Sequence, residues 1–102
     1  MPNRNKQRGN ELEREVVAAF LAQGMTAERA WGSNGRALGE AETVDVLAAG
    51  CKIQCKRRKR LPAYLALPEA CDAVAFRQDR GPIMCLIPLA TLVQLIESAG
   101  GF

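Results

Sequence analysis

The sequence predicts an α/β domain built from short elements. Two observations support this class: an apolar stripe with helical spacing near the N-terminus, and runs of alternating apolar and polar residues further along the chain. The chain has 102 residues, of which 48% are apolar, which is enough for one domain with a modest core. We expect the order helix, three strands, helix, two strands, helix.

The first predicted helix covers residues 10–24, NELEREVVAAFLAQG. Its apolar stripe consists of Leu12, Val16, Val17, Phe20 and Leu21. Asn10 is suited to cap the helix, because Glu13 follows three positions later as in a capping box. Gly24 is a natural C-terminal stop.

The residues before this helix, 1–9, are polar and basic, and we expect them to form a flexible arm. The predicted organisation is therefore an arm over 1–9 and a single domain over 10–102. The sequence shows neither a secretory signal nor an apolar run long enough to span a membrane. We therefore expect a cytoplasmic protein without a membrane partner.

A hairpin is predicted over residues 44–55, with a turn at Ala49-Gly50. Strand alternation puts two sets of side chains on opposite faces. The apolar face would carry Val44, Val46, Ala48, Cys51, Ile53 and Cys55. On the polar face, Asp45 would stand opposite Gln54, with Lys56 one step further along.

The other elements are weaker predictions. Residues 26–31, TAERAW, read as a short strand, and a Gly-rich loop follows it. Residues 64–71 read as a short irregular helix, because Pro68 interrupts it. Two strands, AVAFR and PIMCLIP, flank a turn, and residues 89–98 form a last amphipathic helix that belongs to the core or to a dimer interface.

Charge is distributed unevenly along the chain. Lys and Arg number 14 against 11 acidic residues, and five of the basic residues form the run KRRKR at 56–60. A second basic group lies at the N-terminus. The two groups suggest a polyanionic partner such as DNA, and the predicted phosphate contacts are Arg4, Lys6, Arg8, Arg57, Arg58, Lys59 and Arg60.

The chain has four cysteines, no C-x-x-C pair and no histidine. Reduced, buried cysteines that act as small apolar residues are therefore favoured over a zinc site. Without histidine, the usual general base is missing, and a metal-activated water is the favoured nucleophile.

The polar face of the hairpin suits phosphodiester hydrolysis. Asp45 and Gln54 offer hard oxygen ligands for Mg²⁺ or Mn²⁺, and Lys56 can orient water or hold a phosphate. The alternative is structural: any half-exposed hairpin has a polar face, so Asp45 and Gln54 can also serve only to bind each other.

These residues resemble a known family. The pattern Gly9-x-x-x-Glu13-Arg14-Glu15, Ser33, Val44-Asp45-Val46 and Ile53-Gln54-Cys55-Lys56 is similar to that of the PD-(D/E)xK nucleases, above all to the small archaeal and phage Holliday junction resolvases. The resemblance implies a restriction-endonuclease-like core, with a mixed central β-sheet flanked by helices. It also implies a dimeric, Mg²⁺-dependent endonuclease in which Mn²⁺ substitutes for Mg²⁺, and, with the small size of the chain, a prokaryotic or phage-infected cell as its location.

The resemblance assigns roles to five residues. Asp45, Gln54 and Glu13 would hold the metal ion, Lys56 would be the catalytic lysine, and Ser33 would be the loop serine that supports catalysis. Gln54 departs from the family, because a glutamate is usual there, and no proline precedes Asp45. Glu40 or Glu42 are candidates to supply the missing charge.

The resulting hypothesis is an endonuclease that nicks four-way DNA junctions symmetrically as a homodimer, and that takes no small-molecule substrate. A second hypothesis is a nicking nuclease, or one resembling the Mrr-like restriction nucleases, that acts on duplex DNA. Those nucleases also carry Gln-x-Lys followed by basic residues. A third is a non-catalytic nucleic-acid-binding protein whose site has decayed at Gln54.

Overall fold

The computed structural model describes residues 4–30 and 35–102. This part of the chain contains two helices and five short strands. They are α1 (Arg4–Leu21), β1 (Ala27–Arg29), β2 (Val46–Ala48), β3 (Cys51–Ile53), β4 (Val74–Phe76), β5 (Met84–Leu86) and α2 (Leu89–Ala99). The predicted α/β class is confirmed. Within the described residues, no helix is both long and apolar enough to cross a membrane.

Helix α1 begins at Arg4 rather than at the predicted Asn10. Asn10 therefore lies inside the helix, and most of the expected arm is helical. The reason is that Arg, Lys and Gln are good helix formers, so the preceding residues extend the helix through Gly9, which costs about 1 kcal/mol relative to alanine. The C-terminal prediction was correct, because the helix ends at Leu21 and Gly24 adopts φ +76°.

The first sheet has the order β1-β2-β3, and both of its pairings are antiparallel. The register of the predicted hairpin is confirmed, with Val46 opposite Ile53 and Ala48 opposite Cys51. The turn is tight: Ala49 and Gly50 have φ angles of 50° and 87°. Left-handed backbone is unfavourable for Ala49, but its amide donates to the carbonyl of Thr26 at 2.8 Å and its carbonyl accepts from the amide of Phe102 at 2.9 Å.

Strands β4 and β5 pair with each other, antiparallel, and form a second sheet. In the described residues, the expected single mixed sheet is therefore replaced by two antiparallel ones. The predicted helix over 64–71 is reduced to a 3₁₀ turn at Ala63–Leu65. Parallel strands are usually connected by a crossover helix; the connection between β3 and β4 forms only this 3₁₀ turn, and β4 pairs with β5 instead.

The core lies between the two helices and the first sheet. Its buried residues are Val16, Phe20, Val46, Ala48, Cys51, Val93 and Ile96. Helix α2 contributes Val93 and Ile96 and ends at Ala99, and the next residue, Gly100, adopts a left-handed conformation with φ +79°. A glycine tolerates this conformation without strain. The C-terminal helix is thus a core element, as the sequence suggested.

Residues 61–88, which we call the peripheral segment, lie outside this core. All of them are described, and none is buried. The large apolar side chains that it exposes are Leu61, Tyr64, Ile83 and Met84. The chain as a whole has an accessible surface of 7855 Å² and a radius of gyration of 14.7 Å. A compact monomer of this mass would expose about 5,700 Å², with a radius of gyration of about 13 Å.

Candidate active site

A cleft of about 410 Å³ opens beside the hairpin, where β2 begins and β3 ends, next to helix α1. Its lining residues are Gly9, Glu13, Glu42, Thr43, Asp45, Gln54, Cys55 and Lys56. Four of the five predicted catalytic residues therefore meet in one place. The fifth, Ser33, lies outside the described residues.

Asp45 is held firmly at the edge of the sheet. Its amide donates to the carbonyl of Ile53 at 2.9 Å, and its carbonyl accepts from the amide of Ala30 at 2.8 Å. These two bonds join it to both neighbouring chain segments. One carboxylate oxygen, Oδ2, also accepts from the amide of Cys55 at 2.7 Å. The side chain is therefore oriented as well as anchored, which a catalytic ligand needs.

Glu13 enters the cleft from helix α1. It lies three residues before Val16 and seven before Phe20, on the face that packs against the sheet. Only 2% of Glu13 is exposed, which makes it the one buried charged residue among those described. Burial of an acid on an apolar helix face is costly unless the acid has partners or a ligand. A capping role at the helix start is excluded, because α1 begins nine residues earlier.

Gln54 and Lys56 follow β3 and are exposed, whereas Ile53 before them and Cys55 between them are half-buried. This is the alternation that the sequence predicted. The predicted polar face therefore continues past the last paired residue of the hairpin, and it places the amide of Gln54 and the ammonium of Lys56 along the cleft.

Cys55 was expected only on the apolar face, but it also lines the cleft. Burial raises the pKa of its thiol to about 11, and the negative charges of Asp45 and Glu13 add to the shift. The thiol is therefore protonated at neutral pH and packs as a small apolar group. All four cysteines are free, as the sequence predicted, but Cys71 and Cys85 are exposed rather than buried, because they lie in the peripheral segment outside the core.

The two acidic residues of the loop before Asp45 have different partners. Glu40 forms an ion pair with Lys52, with 3.0 Å between Oε2 and Nζ. Glu42 pairs with Arg36 and also lines the cleft. The sequence offered no means of choosing between these two glutamates. The structure brings Glu42 to the candidate site, whereas Glu40 is not among the lining residues.

The basic segment, residues 56–60, follows β3 along the chain, and all five of its residues are exposed. Arg57 contacts Glu11 of helix α1, with 3.1 Å between Nη1 and Oε2. Arg58 donates to the carbonyl of Arg57 at 3.2 Å. The positive charges thus begin at the cleft itself with Lys56 and continue outward. Of the N-terminal basic group, Arg4, Lys6 and Arg8 belong to the first turns of α1, and nothing is described of their side chains.

The donor set of the cleft fits a hard divalent cation. Two carboxyl groups, Glu13 and Asp45, and the amide oxygen of Gln54 are the ligand types that Mg²⁺ prefers, with water completing its coordination. Among the described residues, no three Cys, Asp or Glu side chains come close enough together to hold a metal ion. The set is therefore short of one carboxylate, as expected with Gln54 where a glutamate is usual.

A helix and a β-hairpin that present an acid, an aspartate and a Gln-x-Lys pair to one cleft define a PD-(D/E)xK nuclease. The model of the archaeal Holliday junction resolvase (hjc) family matches residues 4–86, which is most of the chain. The chain belongs to this family and is a DNA endonuclease of the Holliday junction resolvase type. No curated protein and no solved structure matches it significantly.

Proposed function

We propose that this chain cleaves four-way DNA junctions with Mg²⁺ in the cleft, and that it acts as a homodimer which nicks two symmetry-related strands. The observation that carries the proposal is the meeting of Glu13, Asp45, Gln54 and Lys56 in one cleft beside an exposed basic segment. The family match supports branched DNA as the substrate.

Each side chain has a task in this reaction. Asp45, oriented by the Cys55 amide, and Gln54 would hold Mg²⁺, and the buried Glu13 would bind the ion or its waters. When bound, the ion supplies positive charge to the phosphate and activates water. Lys56 is exposed at the cleft, where its ammonium can hold a phosphate oxygen or orient the attacking water.

The basic segment would hold the DNA backbone. Its side chains are exposed, and Arg57 is braced against helix α1 by Glu11. Contacts of this kind position DNA without reading its sequence. They suit a substrate that is defined by its branched shape.

The homodimer is supported by the surface that the chain leaves uncovered. The accessible area exceeds that of a compact monomer by roughly 2,200 Å². A stable interface covers about 800 Å² on each partner and an obligate one covers more. The exposed apolar groups of the peripheral segment, with the groove between Tyr64, Phe76 and Met84, are the best candidate for this contact.

The test is cleavage of a labelled immobile four-way junction, beside a linear duplex of the same sequence, with Mg²⁺ or with EDTA. Lys56→Ala should lower the cleavage rate roughly 100-fold or more. Lys52→Ala is the matched control, because this lysine lies on the same hairpin but pairs with Glu40. Paired symmetric nicks in the junction alone, lost with EDTA, are the expected result.

Two other outcomes would contradict the proposal, and each would support one of the alternative hypotheses. Equal cutting of the duplex would indicate a general nuclease, a reading that Gln54-x-Lys56 and the basic run also favour. Tight binding without cleavage in Mg²⁺ or Mn²⁺ would indicate a decayed site. The shortage of carboxylates in the cleft is the observation that favours this last reading.

A further inference from the structure

The candidate site lacks one negative charge. A neutral amide at Gln54 binds a divalent cation more weakly than a carboxylate does, and Glu13 and Asp45 are the two carboxyl groups that the predicted metal site retains. The chain must either work with a weakly bound ion or obtain a carboxylate from elsewhere. Another carboxylate that lines the same cleft is therefore of interest.

Glu42 is such a carboxylate. It stands three residues before Asp45, in a turn closed by a 3.0 Å hydrogen bond from the amide of Val44 to the carbonyl of Ala41. Glu42 and Thr43 form the corner of this turn, and both line the cleft. The turn is held in place because Val44 is buried and Asp45 is bonded into the sheet.

The partner of Glu42 does not prevent it from binding a cation. Its ion pair with Arg36 is exposed, with accessible fractions of 59% for the Glu42 side chain and 73% for that of Arg36. Exposed pairs of this kind are weak because water and salt screen them. In the conformation that the structure shows, Glu42 is not close enough to Glu13 and Asp45 to form a three-carboxylate site with them. A divalent cation in the cleft would compete with Arg36 for the carboxylate, and the long side chain of Glu42 can rotate toward the ion without moving the turn.

We infer that Glu42 supplies the third carboxylate of the cation site and replaces the charge that Gln54 lacks. This inference rests on the proposed function, because it takes the cleft to be the Mg²⁺ site. Arg36 then holds Glu42 at the rim until a cation is present. Glu40, which the sequence could not distinguish from Glu42, has no part in the site because it does not line the cleft and pairs with Lys52 instead.

The test compares Glu42→Gln with Glu40→Gln, two substitutions that remove the same charge from the same loop. Mn²⁺ binding to metal-free protein is followed by the electron paramagnetic resonance signal of the free ion, and junction cleavage is measured against Mg²⁺ concentration. Glu42→Gln should raise the Mn²⁺ dissociation constant about tenfold or more, and should shift the Mg²⁺ dependence of cleavage in parallel. Glu40→Gln should change both by less than about twofold, because its charge lies outside the cleft.

A rescue variant separates a ligand role from a general charge effect. Adding Gln54→Glu to Glu42→Gln should restore Mn²⁺ binding, because it returns a third carboxylate to the cleft. Equal effects of the two loop substitutions, or failure of this rescue, would overturn the inference while leaving the proposed function in place. A wild-type protein that neither binds Mn²⁺ nor cleaves junctions would overturn both.

Discussion

The packed region of the molecule, comprising α1, the first sheet and α2, differs sharply from the peripheral segment. Every buried residue described lies in the packed region or in the chain beside its strands, and none lies within residues 61–88. The predicted metal ligands lie at the border of the packed region, where Asp45 is bonded to both sides of the sheet. Backbone hydrogen bonds and burial thus fix the positions of the residues at the candidate site, whereas the peripheral segment leaves its large apolar side chains exposed.

The largest expected effect is on stability. Phe20→Ala removes a fully buried aromatic ring from the core, and it should lower the free energy of unfolding by about 3–5 kcal/mol. Tyr64→Ala removes an aromatic ring that is 66% exposed, and it should cost less than about 1 kcal/mol in the monomer. Urea unfolding at low protein concentration measures both. Similar losses would mean that the peripheral segment packs as tightly as the core.

Thiol reactivity should also differ between the packed region and the peripheral segment. Cys71 and Cys85 are exposed, whereas Cys55 is half-buried and its pKa is raised to about 11. At pH 8, raising the pKa of Cys55 from 9.0 to about 11 lowers the fraction of its thiol present as thiolate roughly 100-fold. Iodoacetamide labelling followed by mass spectrometry should therefore modify Cys71 and Cys85 well before Cys55.

The pH dependence of this labelling has a definite sign. Burial and the neighbouring carboxylates disfavour the thiolate of Cys55, so its labelling rate should keep rising with pH until about pH 11. If Cys55 reacts as fast as Cys71 at pH 8, the hairpin end is more open than the structure indicates.

The peripheral segment should matter for association rather than for folding. Ile83 is 68% exposed, and burying such a side chain in an interface is worth about 1.5–3 kcal/mol. Ile83→Ser should therefore weaken the proposed dimer roughly tenfold or more. Leu95→Ser is the control, because Leu95 is exposed on α2 instead. Sedimentation over a range of concentrations measures both; a larger effect at Leu95 would move the interface to the C-terminal helix.

The smallest effect concerns the basic segment at the border of the two regions. Arg58→Gln combined with Lys59→Gln removes two exposed charges. The slope of log affinity against log salt should become shallower by about 2, since each phosphate contact contributes about 0.9. Lys52→Gln is the control and should leave the slope unchanged. An unchanged slope in the double variant would remove the basic segment from the DNA contacts.

Much of the site could be predicted because its geometry is local. The hairpin needs only a two-residue turn and strand alternation, so the register that sets Val46 against Ile53 followed from the pattern. The placement of Gln54 and Lys56 on one face followed as well. The start of α1 was misjudged, because a plausible cap at Asn10 did not outweigh the helix propensity of the residues before it.

Patterns among neighbours along the chain were enough to predict the hairpin with its polar face, the basic run and the family resemblance, although they misplaced the start of α1 and predicted a helix over 64–71 that is only a 3₁₀ turn. Only the tertiary structure decided that Glu42 reaches the cleft while Glu40 pairs with Lys52, and that Cys55 lies beside two carboxylates. It also decided that β4 and β5 form a sheet of their own. Such outcomes depend on contacts between residues far apart in sequence, and periodicity and spacing carry no information about those contacts.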